Sequence, residues 1–384
     1  MAQAVTIVTS GGLPVTDVAS VTGLAQPMTL VTSGGRPVTV LSSGGLPVVL
    51  VDEAGALAYL LSVATNSLGV APYHYWDFTT NRALFASSDV GTVTSTPGWS
   101  FTRASTGTYV NSAGVMTTFA SGEPRIGDRG LLIEGARTNL FLNSNVGSTQ
   151  SVTVTAAAHT LSFYGTGTIT LSGTSTAGPL VGTGANDRVT LTFTPTAGTL
   201  TLTVSGSCTL VQLELGAFVS SYIATTGSSA TRAADVALIT SPGLTYPVSL
   251  FSHVERVTDT GGNECHVALD TNIATTDETL LYVASADTGS ILTSIAGTQA
   301  SISGGAFASG TTKKLAARIA TNDVQVALNA NLGTADTLAT NPTTPTRLRF
   351  GSRVGGVGFC YDYIQRIAIF NSALSNAELQ TATT

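Results

Sequence analysis

The chain has 384 residues and a mass of 38.9 kDa, too long for one ordinary hydrophobic core and enough for two or three domains. Only 10% of its residues are charged, against about 25% in ordinary globular chains, while 43% are hydrophobic; the combination excludes a disordered polyelectrolyte and points to β-structure with a neutral, hydroxyl-rich surface. A net charge of −6 and a pI near 5.1 give no electrostatic case for nucleic acid or for anionic membranes as partners.

The first fifty residues carry one short phrase several times. VTSGGLPVT (8–16) returns as VTSGGRPVT (31–39) and LSSGGLPVV (41–49), with a degenerate copy, TGLAQPMT, at 22–29. Gly-Gly permits positive φ, and Pro14, Pro27, Pro37 and Pro47 then fix φ and withhold a donor, so each unit predicts strand, turn, strand. One strand pair cannot bury a face alone. Residues 1–70 are therefore expected to form a slender β-segment completed by other copies of the chain, with a homotrimer preferred. A small self-contained meander and an extended arm on a partner are the alternatives. DEAGALAYLLSVATN (52–66) is the one helix-like stretch near the front. MAQAVTIV lacks a basic region before a long apolar run, and ALAYLLSVA (56–64) is too short to span a bilayer, so neither a signal peptide nor membrane insertion is expected.

Residues 71–148 are expected to act as a connector. APYHYWDFTT (71–80) is rich in aromatics, and TYVNSAGVM (108–116) predicts a hairpin around Asn-Ser-Ala-Gly. PRIGDRGLLIEGARTNLFLNS (124–144) gathers Arg125, Asp128, Arg129, Glu134 and Arg137, a cluster that suits a salt-bridged joint between domains or an anion or sugar site. Residues 149–235 are expected to form a β-sandwich. Val189, Leu191 and Phe193 alternate with threonines, as do Leu200, Leu202 and Val204, and Val211, Leu213 and Leu215 continue the pattern. ATTGSSATRAAD (224–235) has the composition of a linker. Residues 236–384 are expected to form a second β-sandwich, with Val324, Val326 and Leu328 inside and Asp323, Gln325 and Ala327 on the opposite face. Ser375 and Glu378 form an S-x-x-E capping box, which predicts one short terminal helix.

Catalytic chemistry is not apparent. Cys208, Cys265 and Cys360 form no CxxC pair and are expected to be buried free thiols. HVERVTDTGGNECHVALD (253–270) is the densest mix of acidic residues and histidine, without the paired carboxylates on a rigid scaffold that sugar hydrolysis requires. No nucleophile elbow, phosphate loop or H-E-x-x-H motif occurs. Asp270, Asn272 and Asp277 are the nearest approach to a cation site; neither a metal nor a cofactor is expected. Tyr164, Tyr222, Tyr361 and Tyr363 are candidate platforms for a sugar ring.

Several stretches resemble known proteins. FTRASTGTYVNSAGVM followed by GLLIEGARTNLFLNS resembles a connector seen in tailed-phage fibre and spike proteins. SFYGTGTITLSG, RVTLTFTPTAGTLTLTVSGSCTLVQLELG and SSYIATTG resemble the sugar-binding-type β-sandwich that follows it in head spike and fibre proteins of phages and gene transfer agents. KKLAARIATNDVQVALNA, LRFGSRVGG and YIQRIAIFNSALSNAEL are similar to laminin-G or concanavalin-A-like jelly rolls. The resemblance implies an all-β, non-enzymatic virion surface protein, head rather than tail, assembled in the host cytoplasm. Its N-terminal repeats would engage capsid or tail proteins and its sandwiches would bind host cell-surface polysaccharide. A purely structural decoration or tail connector, and a polysaccharide depolymerase, are the rival expectations.

Overall fold

The computed structural model describes residues 6–10, 29–33, 64–65, 68–273, 277–295 and 298–384. These are almost entirely β, as expected, and form two antiparallel sandwiches of unequal size. The turns of the N-terminal repeats lie outside the described residues, as does most of the helix-like stretch 52–66, of which Ala64 and Thr65 are helical. The described parts of two repeats, Thr6–Ser10 and Thr29–Ser33, pair in parallel with like residues opposite each other, Val8 against Val31 and Ser10 against Ser33.

The larger sandwich packs a ten-stranded sheet on a seven-stranded one. In the first, Val248–Arg256 lies between Thr311–Ala320 and Tyr363–Phe370. In the second, Glu264–Asp270 lies between Asp277–Ala284 and Arg347–Phe350. Alternation places Val324, Val326 and Leu328 in the shared core with Leu250, Leu315, Ile367 and Phe350, and turns Ala327 to the other face, under the C-terminal helix. That helix, Asn376–Thr383, starts at the predicted capping box: the Ser375 hydroxyl accepts from the Glu378 N–H, and the Glu378 carboxylate accepts from the Ser375 N–H. Its buried Leu379 and Ala382 cover Phe251, Ala316 and Ala368 on the outer face of the ten-stranded sheet.

The division expected from sequence fails at the connector. His74–Asp77, Arg82–Phe85 and Ser88–Gly91 extend the ten-stranded sheet beyond Tyr363–Phe370, and Trp99–Thr102 closes the edge of the seven-stranded sheet against Val236–Thr240. The larger sandwich is thus built from residues on both sides of the smaller one, with strands of the expected connector 71–148 joined to those of 236–384. Local alternation marks a strand but not its distant partner, which is why the sequence left this pairing open. Trp76, Phe78 and Trp99 from the early segment ring Phe350 at centroid distances of 5.1, 5.6 and 5.5 Å. Trp76 Nε1 finds the Thr96 hydroxyl at 3.1 Å, so its one polar atom is satisfied in the core.

The smaller sandwich stacks a four-stranded sheet on a three-stranded one around Phe163, Leu171, Phe193, Leu202 and Leu213. Its alternation is as predicted except at Leu215, which is 50% exposed where the last strand leaves the core. The chain enters through Arg137–Asn139 and returns through Ala230–Arg232, and these two strands pair side by side. The stretch 224–235 is therefore no linker: it holds a strand, and Arg232 and Asp235 are buried. Gly107–Val110 and Met116–Phe119 form the predicted hairpin, with Asn111 Oδ1 accepting from the Val115 N–H. All three cysteines are free and buried.

Two outcomes are expected. Residues 236–384 expressed alone lack the early strands and should give no cooperative unfolding transition, whereas 71–384 should unfold cooperatively; circular dichroism on the two chains decides it. Acid should destabilise the larger sandwich. Burial pushes the His266 imidazole down to about 3 and that of His74 to about 4, from 6.5. His74 Nδ1 accepts from the Ala86 N–H, a bond its protonation breaks. Since the unfolded chain takes up these protons first, stability is complete above pH 6.5 and should fall as pH drops from 6.5 towards 3, read as a falling Tm.

Candidate functional site

The charge cluster 124–137 lies where the two sandwiches meet. Arg125, with no exposed side chain, donates to Glu134 at 2.5 Å, to the Thr108 carbonyl at 2.9 Å and to the Ser221 hydroxyl at 2.8 Å, and it also meets Asp235. Arg103 reaches the other oxygen of Asp235 at 3.0 Å, and Arg232 reaches Glu134 at 3.0 Å. Three guanidinium groups thus face two carboxylates. Further donors go to the Ala120 carbonyl from Arg103 and to the Gly135 carbonyl from Arg232, while Arg125 Nε and Arg232 Nε are buried without a hydrogen-bond partner. Ser221, from the returning edge of the small sandwich, donates through its N–H and its hydroxyl to Glu134. Burial alone would raise the Glu134 carboxyl, but Arg232, Arg125 and Ser221 hold it down to about 2. Through Arg125 and Glu134 the cluster forms the salt-bridged joint.

The joint orders an aromatic group at its rim. Phe218 of the small sandwich meets Tyr361 of the large one edge-on at 4.8 Å, and Phe359 stands 6.4 Å beyond Tyr361. Arg137 lies between them, its guanidinium carbon 4.2 Å from the Phe218 ring centre and 5.6 Å from that of Tyr361. All four residues are half-buried. Gly135 makes the approach possible, because a Cβ there would sit 2.5 Å from the Tyr361 hydroxyl and 2.8 Å from Phe359 Cδ2. Half-buried rings beside a fixed donor can accept a pyranose face and one of its hydroxyls.

The four tyrosines singled out from sequence do not converge. Tyr361 belongs to this rim. Tyr164 is half-buried on His159–Gly165, with the Arg188 guanidinium 6.0 Å from its ring centre. Tyr222 and Tyr363, 5% and 6% exposed, present no ring face to solvent. The Tyr222 hydroxyl bonds Ser144 at 2.7 Å; Tyr363 packs edge-on against Tyr109 at 5.2 Å beneath Arg129, which pairs with Glu255. Sequence reasoning missed Phe218, Phe359 and the ring contact of Arg137. The only signal was the small residue Gly135 before Ala136 and Arg137 in a charged stretch.

The carboxylates of 253–270 are spoken for. Glu264 and Asp259 pair with Arg256, and Asp270 pairs with Arg349, which also donates to Asn272. Asp277 accepts from the Thr343 N–H. Among the described residues no group of three or more His, Cys, Asp or Glu side chains is arranged to hold a metal. His266 Nδ1 lies 3.0 Å from the Ser252 hydroxyl, facing away from Cys265.

No family model and no curated protein matches the chain. Similar solved structures include the CBM40 module of the Ruminococcus gnavus IT-sialidase bound to α2,6-sialyllactose, at 11% identity and a TM-score of 0.32, covering 37% of this chain and 85% of that one. They also include the NanB sialidase from Streptococcus pneumoniae, at 14% identity and a TM-score of 0.33 over 38% of this chain and 26% of that one. Trypanosoma rangeli sialidase matches at 14% identity and a TM-score of 0.30, over 38% and 25% of the two chains.

Removing one partner of the joint leaves buried charge uncompensated. Asp235→Ala should lower unfolding free energy by about 3–5 kcal/mol in urea titration. Asp128→Ala, whose exposed carboxylate accepts from the N–H and hydroxyl of Ser112, should change it by no more than about 0.5 kcal/mol.

Proposed function

We propose that this chain is a non-enzymatic subunit of a virion surface spike or fibre, mounted on the head rather than the tail, that binds cell-surface polysaccharide. The observation that carries the binding role is the rim of Phe218, Phe359 and Tyr361 around Arg137, held open by Gly135 and fixed from below by buried ion pairs. The spike role is supported by the resemblance of the connector and repeats to phage spike and fibre proteins. The parallel, like-on-like pairing of Thr6–Ser10 with Thr29–Ser33 supports assembly through the repeats, because a two-stranded parallel sheet keeps two open edges. Binding is weak at each site and gains strength from copy number on the particle.

The test is glycan binding by the intact chain. The folded protein should retain a polysaccharide with single-site affinity around millimolar. Phe218→Ala and Tyr361→Ala should each weaken that binding at least about tenfold, equivalent to about 1.4 kcal/mol. Tyr222→Phe should leave it unchanged. Folded protein that retains no glycan, or rim variants that bind as well as the parent, would overturn the proposal. The second reading, a purely structural connector, is favoured by the buried joint itself and would then stand.

A further inference from the structure

Register lays out the outer face of the three-stranded sheet, in the smaller sandwich, as rows. Thr192, Thr160 and Glu214 stand side by side, then Thr190, Ser162 and Gln212, then Arg188, Tyr164 and Thr209. The segment 216–221 crosses the first two rows. The carbonyls of Gly216 and Ala217 accept from the hydroxyls of Thr160 and Thr192, the Ser221 carbonyl accepts from Gln212, and Ser220 donates to Glu214 through its N–H and its hydroxyl. The third row lies beyond this cover, with Arg188, Tyr164 and Thr209 all half-buried. It sits at the Tyr164 end of its strand. Arg137 of the aromatic rim meets the Leu215 carbonyl opposite His159, at the other end.

Arg188 is held there by neutral groups. Its Nη1 donates to the Ser220 carbonyl at 2.7 Å, and its Nη2 and Nε share the Ser162 hydroxyl at 3.0 and 3.3 Å. A guanidinium carries more N–H donors than these contacts use, so its plane is fixed while donors and the whole charge stay uncommitted. Among the described residues every arginine is paired with a carboxylate except Arg188 and Arg347. Arg188 is the one of the two beside an aromatic ring: its guanidinium carbon lies 6.0 Å from the centre of Tyr164, which stands directly opposite it in the sheet. The nearby carboxylates do not reach it. Glu214 is two rows away and engaged by Gln212 and Ser220, and Asp187 lies against Gly184. In a chain of net charge −6, an oriented and unneutralised cation next to a half-buried ring is a local reversal of sign.

We infer that this row binds the acidic residue of a polysaccharide, with the Tyr164 ring against the sugar face and the free donors of Arg188 on its carboxylate. A guanidinium fork meets both oxygens of a carboxylate at once, and a neutral sugar hydroxyl cannot reproduce that contact. The Thr209 hydroxyl donates to the Tyr164 carbonyl at 3.1 Å and fixes the backbone that carries the ring. The preference for a carboxylate rests on Arg188 alone; the choice of a saccharide as its bearer rests on the glycan-binding role proposed above.

Ligand-observed NMR titration of the full chain with glucuronate, glucose and acetate at pH 7 tests it. Glucuronate should bind at least about tenfold more tightly than either of the others and lose affinity as salt rises. Arg188→Met should abolish the preference over glucose, and Arg188→Lys, which keeps the charge and loses the fork, should weaken glucuronate at least about threefold. If loss of the Ser220 contact lowers the Tm of the Arg188 variants, Tyr164→Leu decides: it spares that contact, and it should weaken glucuronate at least about threefold at an unchanged Tm. Phe218→Ala should leave the preference for glucuronate as it is. Equal affinity for glucuronate and glucose, or Arg188 and Tyr164 variants that bind like the parent, would overturn the inference. Acetate binding as tight as glucuronate would overturn its saccharide part. A glucuronate preference that depends on Arg188, in a protein whose rim variants retain polysaccharide like the parent, would remove the role of the rim and leave this site standing. Polysaccharide retention that depends on the rim, without any preference for glucuronate, would do the reverse.

Discussion

Five charged side chains buried between two β-sandwiches govern the arrangement of this protein. Arg103, Arg125, Glu134, Arg232 and Asp235 come from segments up to 132 residues apart in the chain. Each is removed from water, and a buried charge is tolerable only while its partners are in place. The joint therefore acts as an all-or-none constraint: either every segment is seated or several charges are stranded together. Apolar packing between the sandwiches would tolerate sliding; a guanidinium shared between two carboxylates and a carbonyl does not. The aromatic rim depends on this fixity, because Arg137 and Phe218 belong to one side of the joint and Phe359 and Tyr361 to the other.

The joint also explains how charge is used in so neutral a chain. Most carboxylates of the described residues are bound to arginines in fixed geometry, inside the joint or at the ends of strands. Arginine suits this work, with a planar fork that meets a carboxylate and carbonyls at once.

Much of the fold was legible in the sequence where its cause is local. Alternation in 189–204 and 324–328, the hairpin around 111–114 and the capping box at Ser375 all follow from two to five neighbouring residues. The joint was visible only as a local cluster. Arg125 and Glu134 stood out, but Arg103 and Asp235 sit in unremarkable Thr-, Ser- and Ala-rich stretches, and nothing local marks their pairing over 132 residues. The same holds for His74–Asp77 against Tyr363–Phe370. Among the candidate tyrosines, sequence supplied the residue type and could not supply solvent exposure, which is decided by partners such as Tyr109 over Tyr363 and Ser144 beside Tyr222. Phe218 and Phe359 gained their place from a contact between sandwiches that no single stretch encodes.

The pairing of Arg137–Asn139 with Ala230–Arg232 has a consequence for how such a chain can diversify. The smaller sandwich hangs from the larger one by two strands hydrogen-bonded side by side, so its first and last residues are neighbours in space. Bringing the ends of an inserted segment together costs little more for a long segment than for a short one. A different domain with adjacent termini can therefore occupy the same stem, provided it returns a hydroxyl and an N–H to Glu134 as Ser221 does. The smaller sandwich is in that sense a cassette, exchangeable at two neighbouring points, while the host sandwich and its buried charges persist unchanged.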